Sequence, residues 1–206
     1  MLNSIGFDQW AGEYDESIPK LSAGYPFEGY YDVLSFVNRS VDSSQGKNIL
    51  DIGVGTGLLT KELYHKGAEI YGIDFSTKML EIAKRVMPKG RFFCHDFQKG
   101  LPAELKTVKF DYIISSYAIH HLNDDQKVDF ISELKGHLIE GGKIIVADIA
   151  FGTKDEMRLY SEKFQEDWDN DEVYMTEDEM LERLRKRGID SIYTQISLCA
   201  GVLEIV

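Results

Sequence analysis

The chain has 206 residues, and its 43% hydrophobic and 12% aromatic content is enough to bury a core, which excludes a disordered chain and favours one domain. Its net charge of −12 disfavours nucleic-acid binding, because Lys and Arg against phosphates supply most of that affinity. No apolar run approaches the roughly 20 residues needed to cross a bilayer, and the N-terminus lacks the charged-then-apolar pattern of a signal peptide. We therefore expect a protein that binds neither nucleic acid nor membrane.

The two cysteines, Cys94 and Cys199, both fall in predicted strands. We expect buried free thiols rather than a disulfide framework, and hence a cytoplasmic protein. The acidic surplus lies in the flanks, with 7 acidic residues against 2 basic before residue 46 and 14 against 7 after residue 150. We interpret it as a solvated acidic surface.

Two amphipathic helices are predicted before the first strand. Phe7, Trp10, Ala11 and Tyr14 share one face of the first helix, and Pro26 can start the second. The inner face of this second helix is predicted to carry Phe27, Tyr30, Tyr31, Leu34 and Val37. Aromatic helices in this position are unusual for a dinucleotide-binding fold, whose first strand usually opens the chain.

A glycine-rich turn follows the first predicted strand, Asn48–Ile52. It contains Gly53, Gly55 and Gly57 and leads into a helix that is predicted from Leu58 to about Lys66 and is ended by Gly67. Glycines there let the backbone approach a ligand closely, and the helix N-terminus offers unpaired N–H groups. The second predicted strand, Glu69–Ile73, ends in Asp74, where a nucleotide-binding α/β unit needs an acceptor for ribose hydroxyls.

The spacing of the glycines indicates which ligand binds. Dinucleotide folds use G-x-G-x-x-G, whereas this turn reads G-x-G-x-G and is preceded by Asp51. A carboxylate in that place would repel a pyrophosphate, but it suits a ligand with an ammonium or sulfonium group.

The stretch LDIGVGTG, Leu50–Gly57, closely resembles the first motif of class I S-adenosylmethionine-dependent methyltransferases, and Asp74 in YGIDFS matches their second acidic position. The resemblance implies the cofactor S-adenosyl-L-methionine and an α/β fold. That fold is a seven-stranded, mostly parallel Rossmann-like sheet with helices on both faces and a C-terminal antiparallel strand.

Three further strands are predicted before residue 150. They are Arg91–His95, Phe110–Ser116 and Lys143–Ile149, and each strand–helix–strand unit implies a right-handed crossover and a parallel sheet. One helix, before Arg91–His95, is predicted to be capped by Ser76 and to carry Met79, Ala83 and Val86. The other begins with a capping box of Asn123 and Gln126, has Ile131, Leu134 and Leu138 on its inner face, and ends at Gly141-Gly142.

The chain becomes less regular beyond Phe151. Glu166–Glu179 holds eight acidic residues and no basic one, and we expect it to lie over the open edge of the site. A second capping box, Thr176 with Glu179, starts the last predicted helix. Ile189–Ser197 and Leu198–Val206 are predicted strands that must pair antiparallel, since no crossover helix fits between them.

The resemblance also implies which residues hold the cofactor. The glycine turn and the backbone near Ser115 hold its amino-acid end, Asp51 acts through the turn or a water, and Asp74 takes the ribose hydroxyls. Phe75 and Met79 flank the adenine, Asp96 accepts from its amino group and Phe97 packs on its ring. Trp10 and Tyr14-Asp15 match the W-x-x-x-Y-D segment of a lid. The implied set is Tyr14, Asp51, Gly53, Gly55, Thr56, Gly57, Asp74, Phe75, Met79, Asp96, Phe97 and Ser115.

We therefore expect a single methyltransferase domain over residues 1–206, with an N-terminal helical lid (1–45), a cofactor-binding core (46–150), and an acidic cap segment with a terminal hairpin (151–206). Tyr14, Tyr25 and Tyr30 are candidates to line the acceptor pocket.

No catalytic residue is assigned by the sequence. Aligned methyl transfer needs no fixed triad, and His120 and His121 are candidate general bases because imidazole titrates near neutrality. We expect no metal site, since neighbouring side chains point apart and an Asp/Asp/Asn metal set is not evident. Ser115–Ala118 replaces the Asn/Asp-Pro-Pro-aromatic segment of amino-nucleobase methylases, which argues against DNA as acceptor.

The resulting hypothesis is a methyltransferase (EC 2.1.1.-) that acts by in-line displacement on a small molecule, through oxygen, nitrogen or sulfur, as a monomer or homodimer. One alternative is a non-catalytic sensor of S-adenosylmethionine or S-adenosylhomocysteine, since binding and catalytic residues nearly coincide. An NAD-dependent dehydrogenase is disfavoured by the glycine spacing and the terminal hairpin.

Overall fold

The structure is a computed structural model that describes residues 8, 11, 12, 17 and 24–206. The strands in these ranges are β1 Asn48–Ile52, β2 Glu69–Asp74, β3 Arg91–Cys94, β4 Phe110–Ser116, β5 Leu138–Phe151, β6 Met175–Thr176, β7 Ser191–Gln195 and β8 Ala200–Ile205. The helices are α1 Tyr30–Ser40, α2 Lys61–His65, α3 Thr77–Val86, α4 Asp124–Lys135, α5 Lys154–Lys163 and α6 Glu177–Lys186.

The strands form one mixed sheet in the order β3-β2-β1-β4-β5-β8-β7. Neighbouring strands from β3 to β5 are parallel, and β8 runs antiparallel to both β5 and β7. The predicted seven-stranded Rossmann-like α/β sheet with a C-terminal antiparallel strand is confirmed. The short strand β6, which pairs with the end of β5, is an addition.

Two apolar cores cover the two faces of the sheet, because alternate strand residues point to opposite sides. Leu50 and its neighbours pack against α4 and α6, whereas Ile49 and its neighbours pack against α1, α2 and α3. A third cluster, rich in aromatic side chains, lies over the end of β5 and contains Tyr25, Phe151, Tyr174 and Cys199, with Trp168 packed against it. The carboxyl ends of β1, β2 and β4 are left between these layers, where a ligand site forms in such sheets.

Helix α1 is part of the core. It begins at Tyr30, not at Pro26, and it buries Tyr30, Val33, Leu34 and Val37. Tyr31, predicted on the inner face, is 46% exposed instead. Packing against β5 and β8 decides which side of α1 is buried. Val33 therefore lies on the inner face, where Tyr31 was predicted.

Two predicted boundaries near β1 and β5 are wrong. Helix α2 begins at Lys61, not at Leu58, because the turn continues through residues 58–60. Helix α4 keeps its capping box of Asn123 and Gln126 but ends at Lys135, and Leu138 already belongs to β5, opposite Phe110. The pairing of β4 with β5 is irregular between Phe110 and Tyr112, and Gly141-Gly142 therefore lies inside a long strand.

The C-terminal third differs from the prediction in its caps. Thr153 and Glu156 form a capping box for α5, a helix that the sequence reading missed. Thr176 occupies the N-cap of α6, but its side chain accepts no hydrogen bond from the helix, so the predicted capping box with Glu179 is not formed. The N–H of Glu179 donates to Asp178 Oδ1 instead. Cys199 is buried as expected, whereas Cys94 is exposed because β3 is an edge strand.

The helices of the described ranges are short. The longest, α4, has 12 residues, and none of them is long and apolar enough to cross a bilayer.

Candidate functional site

A cleft lies at the carboxyl ends of β1, β2 and β4, and its volume including the open mouth is about 440 Å³. Seven of its ten lining residues were named from the sequence as cofactor-binding residues or candidate bases. The lining residues are Gly53, Gly55, Asp74, Phe75, Met79, Phe97, Ser116, Tyr117, Ala118 and His121. The glycine turn, the end of β2 and the loop after β4 thus meet at one place.

The glycine turn needs the residues that it has. Gly53, Gly55 and Gly57 have φ angles of 72°, 53° and 84°, which disfavour any residue with a Cβ. A Cβ on Gly53 would collide with Ala118, and one on Gly57 would collide with Met87. A Cβ on Gly55 would meet no atom within 4 Å, so this residue leaves open space on the cleft wall.

Asp74 ties this turn to the end of β2. One carboxylate oxygen accepts from Gly55 N–H at 2.9 Å, and the other accepts from Ser76 N–H at 2.8 Å. Burial raises the pKa of Asp74 to about 6, although these backbone donors partly offset it. The carboxylate is therefore oriented within the cleft before any ligand binds.

Asp51 lies behind the turn and is 1% exposed, so it does not line the cleft. Neither carboxylate oxygen has a hydrogen-bond partner among the described residues. Burial raises the pKa of Asp51 to about 8, the charge of Asp74 adds to this, and the neighbouring Thr60 hydroxyl only partly opposes it. This orphaned buried carboxyl would gain from a cationic group placed near the turn.

Other predicted site residues are held outside the cleft wall. Asp96 caps the turn that starts at Phe97, accepting from Gln98 N–H at 3.0 Å, and it pairs with Lys99 at 3.2 Å. Ser115 Oγ donates to Ile52 O at 2.9 Å and is buried. Thr56 is buried within the turn. Tyr14 falls outside the described residues, and so does most of the first predicted helix.

His120 and His121 lie side by side, with ring centroids 4.3 Å apart, so the expectation that they point apart is wrong. His120 Nδ1 is 2.6 Å from Asp148 Oδ1, and its backbone N–H donates to Asp148 Oδ2 at 3.1 Å. Burial disfavours a charged His120, but the carboxylates of Asp148 and Glu172 outweigh burial and raise its pKa. Burial and the adjacent His120 lower the pKa of His121 to about 4, which keeps that ring neutral in the cleft.

Glu172 approaches the histidines from the acidic segment. Its Oε1 is 3.5 Å from His120 Nε2, and its Oε2 accepts from the Tyr174 hydroxyl at 2.9 Å. The Tyr25 hydroxyl donates in turn to the Tyr174 oxygen at 2.9 Å. A polar chain thus runs from Asp148 on β5 to the aromatic cluster above it.

The sequence reading did not assign Asp148, Glu172, Ser116, Tyr117 or Ala118 to the site. The position of Tyr117 in the sequence could have indicated a site residue, because it comes directly after β4, in the segment that replaces the tetrapeptide of nucleobase methylases. It is the one non-glycine residue with a positive φ in the described ranges, at 49°, and such backbone strain occurs often at functional sites.

The chain matches the sequence model of a methyltransferase domain over residues 49–142. It is 33% identical over 211 residues to an uncharacterized methyltransferase of Geobacillus kaustophilus, with 97% of this chain and 94% of the relative covered. Its fold is similar to that of DhpI in a complex with SAM and HEP, with a TM-score of 0.72, 19% identity and coverage of 97% and 94%. It is also similar to magnesium protoporphyrin IX methyltransferase from Synechocystis with bound SAH, with a TM-score of 0.64, 18% identity and coverage of 100% and 88%.

Asp51 should make the free energy of unfolding fall as pH rises. Between the ordinary pKa of 3.8 and a folded pKa of about 8, the folded state keeps a proton that the unfolded state releases. We expect a loss of roughly 1.4 kcal/mol per pH unit from this group, up to its folded pKa. Urea unfolding at pH 6 and pH 8 measures it, and Asp51→Asn should be clearly less sensitive to pH than the wild type.

The exposed carboxylate of Asp129, paired with Arg187 at the surface, provides the control. Asp129→Asn should keep the wild-type dependence on pH. Equal pH slopes for wild type and Asp51→Asn would contradict the assignment.

Proposed function

Since this chain belongs to the methyltransferase family and has the class I S-adenosylmethionine-dependent fold, we propose that it methylates a small-molecule acceptor. The observation that carries the proposal is the cleft formed by the glycine turn, Asp74 and the loop after β4. We infer a cytoplasmic location from the two free cysteines, and we leave monomer and homodimer open.

The cofactor is S-adenosyl-L-methionine, whose sulfonium supplies an already activated methyl group. The residues in and behind the cleft wall fit it: Asp51, behind the turn, is a buried carboxyl without a hydrogen-bond partner among the described residues, and Gly55 leaves room for close approach. We propose that the turn holds the amino-acid end and that Asp74 accepts from the ribose hydroxyls. Phe75, Met79 and Phe97, which line the cleft, would enclose the adenine.

The acceptor would reach the cleft from the side of Tyr117 and His121. Tyr117 stacks on Tyr30, with centroids 4.9 Å apart, and the aromatic cluster closes the space over the end of β5. Tyr25 in that cluster stacks on Trp168 at 5.3 Å. An enclosed, aromatic and acidic environment favours a small acceptor that is neutral or cationic over a nucleic acid.

The protein's task in this reaction is to align the acceptor with the methyl group and to keep water out. The His121 ring lines the cleft, and its low pKa of about 4 keeps it neutral, so it can accept a hydrogen bond from the acceptor. His120 does not line the cleft, and its Nε2 lies 3.5 Å from Glu172 Oε1, so it is the less direct contact for an acceptor.

Turnover is the direct test. The purified protein, given S-adenosylmethionine and a panel of small hydroxyl, amine and thiol compounds, should form S-adenosylhomocysteine with at least one of them, detectable by mass spectrometry. The panel should include polyanions, protein and nucleic acid as controls. Activity confined to macromolecular acceptors, or binding of the cofactor without turnover, would contradict the proposal.

Asp74→Ala should weaken cofactor binding by about 1–3 kcal/mol, because it removes charge-assisted hydrogen bonds to the ribose and the support of Gly55 N–H. Titration calorimetry with S-adenosylhomocysteine measures the change. Asp129→Ala, at the surface, should bind like the wild type. An unchanged dissociation constant for Asp74→Ala would remove Asp74 from the site.

We also propose that the segment before α1 closes over the cleft as a lid. The described contact that supports this is Asp8, which accepts from Ser76 Oγ at 2.5 Å and from Lys78 N–H at 3.3 Å. Ser76 N–H in turn donates to Asp74, so Ser76 links Asp8 to the carboxylate that we propose binds the ribose. The lid would be shorter than residues 1–45, since α1 packs into the core.

Deleting residues 1–23 tests the lid. The sheet and α1 should stay folded, by far-ultraviolet circular dichroism, because their cores lie within the remaining chain. The dissociation constant for S-adenosylhomocysteine should rise, since the contact of Asp8 with the start of α3 is lost. A truncated protein that keeps both full affinity and full turnover would show that the segment is not a lid.

A further inference from the structure

Two imidazoles and a carboxylate converge beside the cleft. His120, His121 and Glu172 each offer one ligand atom, and these atoms all lie within 4.8 Å of one another. Two of them, His120 Nε2 and Glu172 Oε1, are 3.5 Å apart. An ion about 2.1 Å from each ligand atom holds neighbouring ligands about 3 to 3.5 Å apart. The pair of His120 and Glu172 already has this spacing, and the remaining ligand atoms, within 4.8 Å, would move closer when an ion binds.

From this geometry we propose that His120, His121 and Glu172 form a site for a first-row transition-metal dication, such as Zn²⁺ or Co²⁺. Two imidazoles and one carboxylate are ligands that these ions prefer, whereas Mg²⁺ and Ca²⁺ favour oxygen donors. Three protein ligands leave a coordination position open for a further molecule.

Two of the three proposed ligands, His120 and Glu172, have hydrogen-bond partners of the kind that orient metal ligands in proteins. Asp148 Oδ1 lies 2.6 Å from His120 Nδ1, which turns Nε2 of the same ring toward Glu172. Glu172 Oε2 accepts from the Tyr174 hydroxyl at 2.9 Å, which leaves Oε1 for the ion. Such carboxylate–histidine and hydrogen-bonded carboxylate arrangements orient metal ligands and raise their affinity.

The two backbone hydrogen bonds of Val173, the residue after Glu172, hold Glu172 in position. Val173 N–H donates to His120 O at 2.9 Å, and Val173 O accepts from the buried Lys127 Nζ at 2.6 Å. The acidic segment is therefore fastened to the loop that carries both histidines. A ligand set fixed in this way needs little reorganisation when an ion binds.

Charge also favours a dication here. Asp148 and Glu172 place two carboxylates around the histidine pair, and Lys127 is committed to the carbonyls of Leu122 and Val173 and to Asp124. A dication would balance the two carboxylates.

The site would give the acceptor its position, and this part rests on the proposed methyltransferase function. His121 belongs to both the cleft and the cluster, so an acceptor bound to the ion would lie beside the cleft in which we propose that the methyl donor binds. An acceptor hydroxyl bound there would lose its proton to solvent. Its oxygen would then attack the methyl carbon, and the electron pair of the breaking S–C bond would pass to sulfur. The acceptor class is thus an oxygen nucleophile, with a hydroxyl group that binds at the open position.

Metal binding is tested with Co²⁺ alone on the full chain after treatment with a chelator. We expect one Co²⁺ per chain, visible as d–d absorption that Zn²⁺ abolishes. Glu172→Gln, which removes a ligand, should bind Co²⁺ at least tenfold more weakly. Asp148→Asn, which changes only the group behind His120, should weaken binding about 10–100-fold. His65→Gln, on an exposed histidine far along the chain, should leave the binding unchanged.

Binding of S-adenosylhomocysteine by each variant separates the two proposals, since Glu172 and Asp148 do not line the cofactor cleft. If the wild type binds this cofactor product but not Co²⁺, or if Glu172→Gln keeps full Co²⁺ affinity, the metal site is overturned while the proposed function stands. His121→Gln serves as a second ligand variant if Glu172→Gln does not fold, and unchanged Co²⁺ affinity in it would overturn the site equally.

Discussion

The cleft depends on the link between the glycine turn after β1 and the end of β2. Gly53 N–H and Val54 N–H both donate to Ile73 O, at 2.8 and 3.0 Å, and the carboxylate of Asp74 accepts from Gly55 N–H. The same carboxylate accepts from Ser76 N–H at the start of α3. Two strand ends and a helix start are thus held by one buried carboxylate, whose desolvation is only partly offset by these donors. A ligand with hydroxyl groups can therefore donate hydrogen bonds to a carboxylate that is already oriented.

The two sides of the cleft handle buried charge differently. On the β1 and β2 side, the charge of the buried Asp74 adds to the cost of ionising the buried Asp51, and the hydrogen-bond donors to Asp74 are backbone N–H groups. On the β5 side, Asp148 is paired with His120, and this lowers the pKa of Asp148 despite its burial. The first arrangement suits a ligand that brings positive charge, whereas in the second the carboxylate of Asp148 already has an imidazole and backbone N–H groups as hydrogen-bond partners. Such an asymmetry favours the orientation that we propose for the cofactor, with its charged half toward the glycine turn.

Local rules predicted a large part of the fold. The bounds of β1 and β4 match the predicted ones, since short apolar runs between glycines or polar turns define buried strands in the sequence alone. The caps at Ser76 and Asn123 are likewise local. Tyr31 and Leu138 were misplaced because their environment is set by distant strands: α1 rotates to fit β5 and β8, and the irregular pairing with Phe110 starts β5 early. Helix propensity and periodicity carry no information on such pairings.

The site divides in the same way. The half formed by the glycine turn and Asp74 follows a motif of fixed spacing and could be predicted. The half formed by His120, Asp148 and Glu172 depends on pairs far apart in the chain, joined by the pairing of β4 with β5 and by the return of the acidic segment. The adjacency of His120 and His121 was misleading, because consecutive side chains point apart in a strand. The loop after β4 instead makes a 3₁₀ turn over Ile119–His121, in which successive residues are rotated by about 120°, so both rings can face the same space. The conformation of one short turn therefore brings the two imidazole rings together.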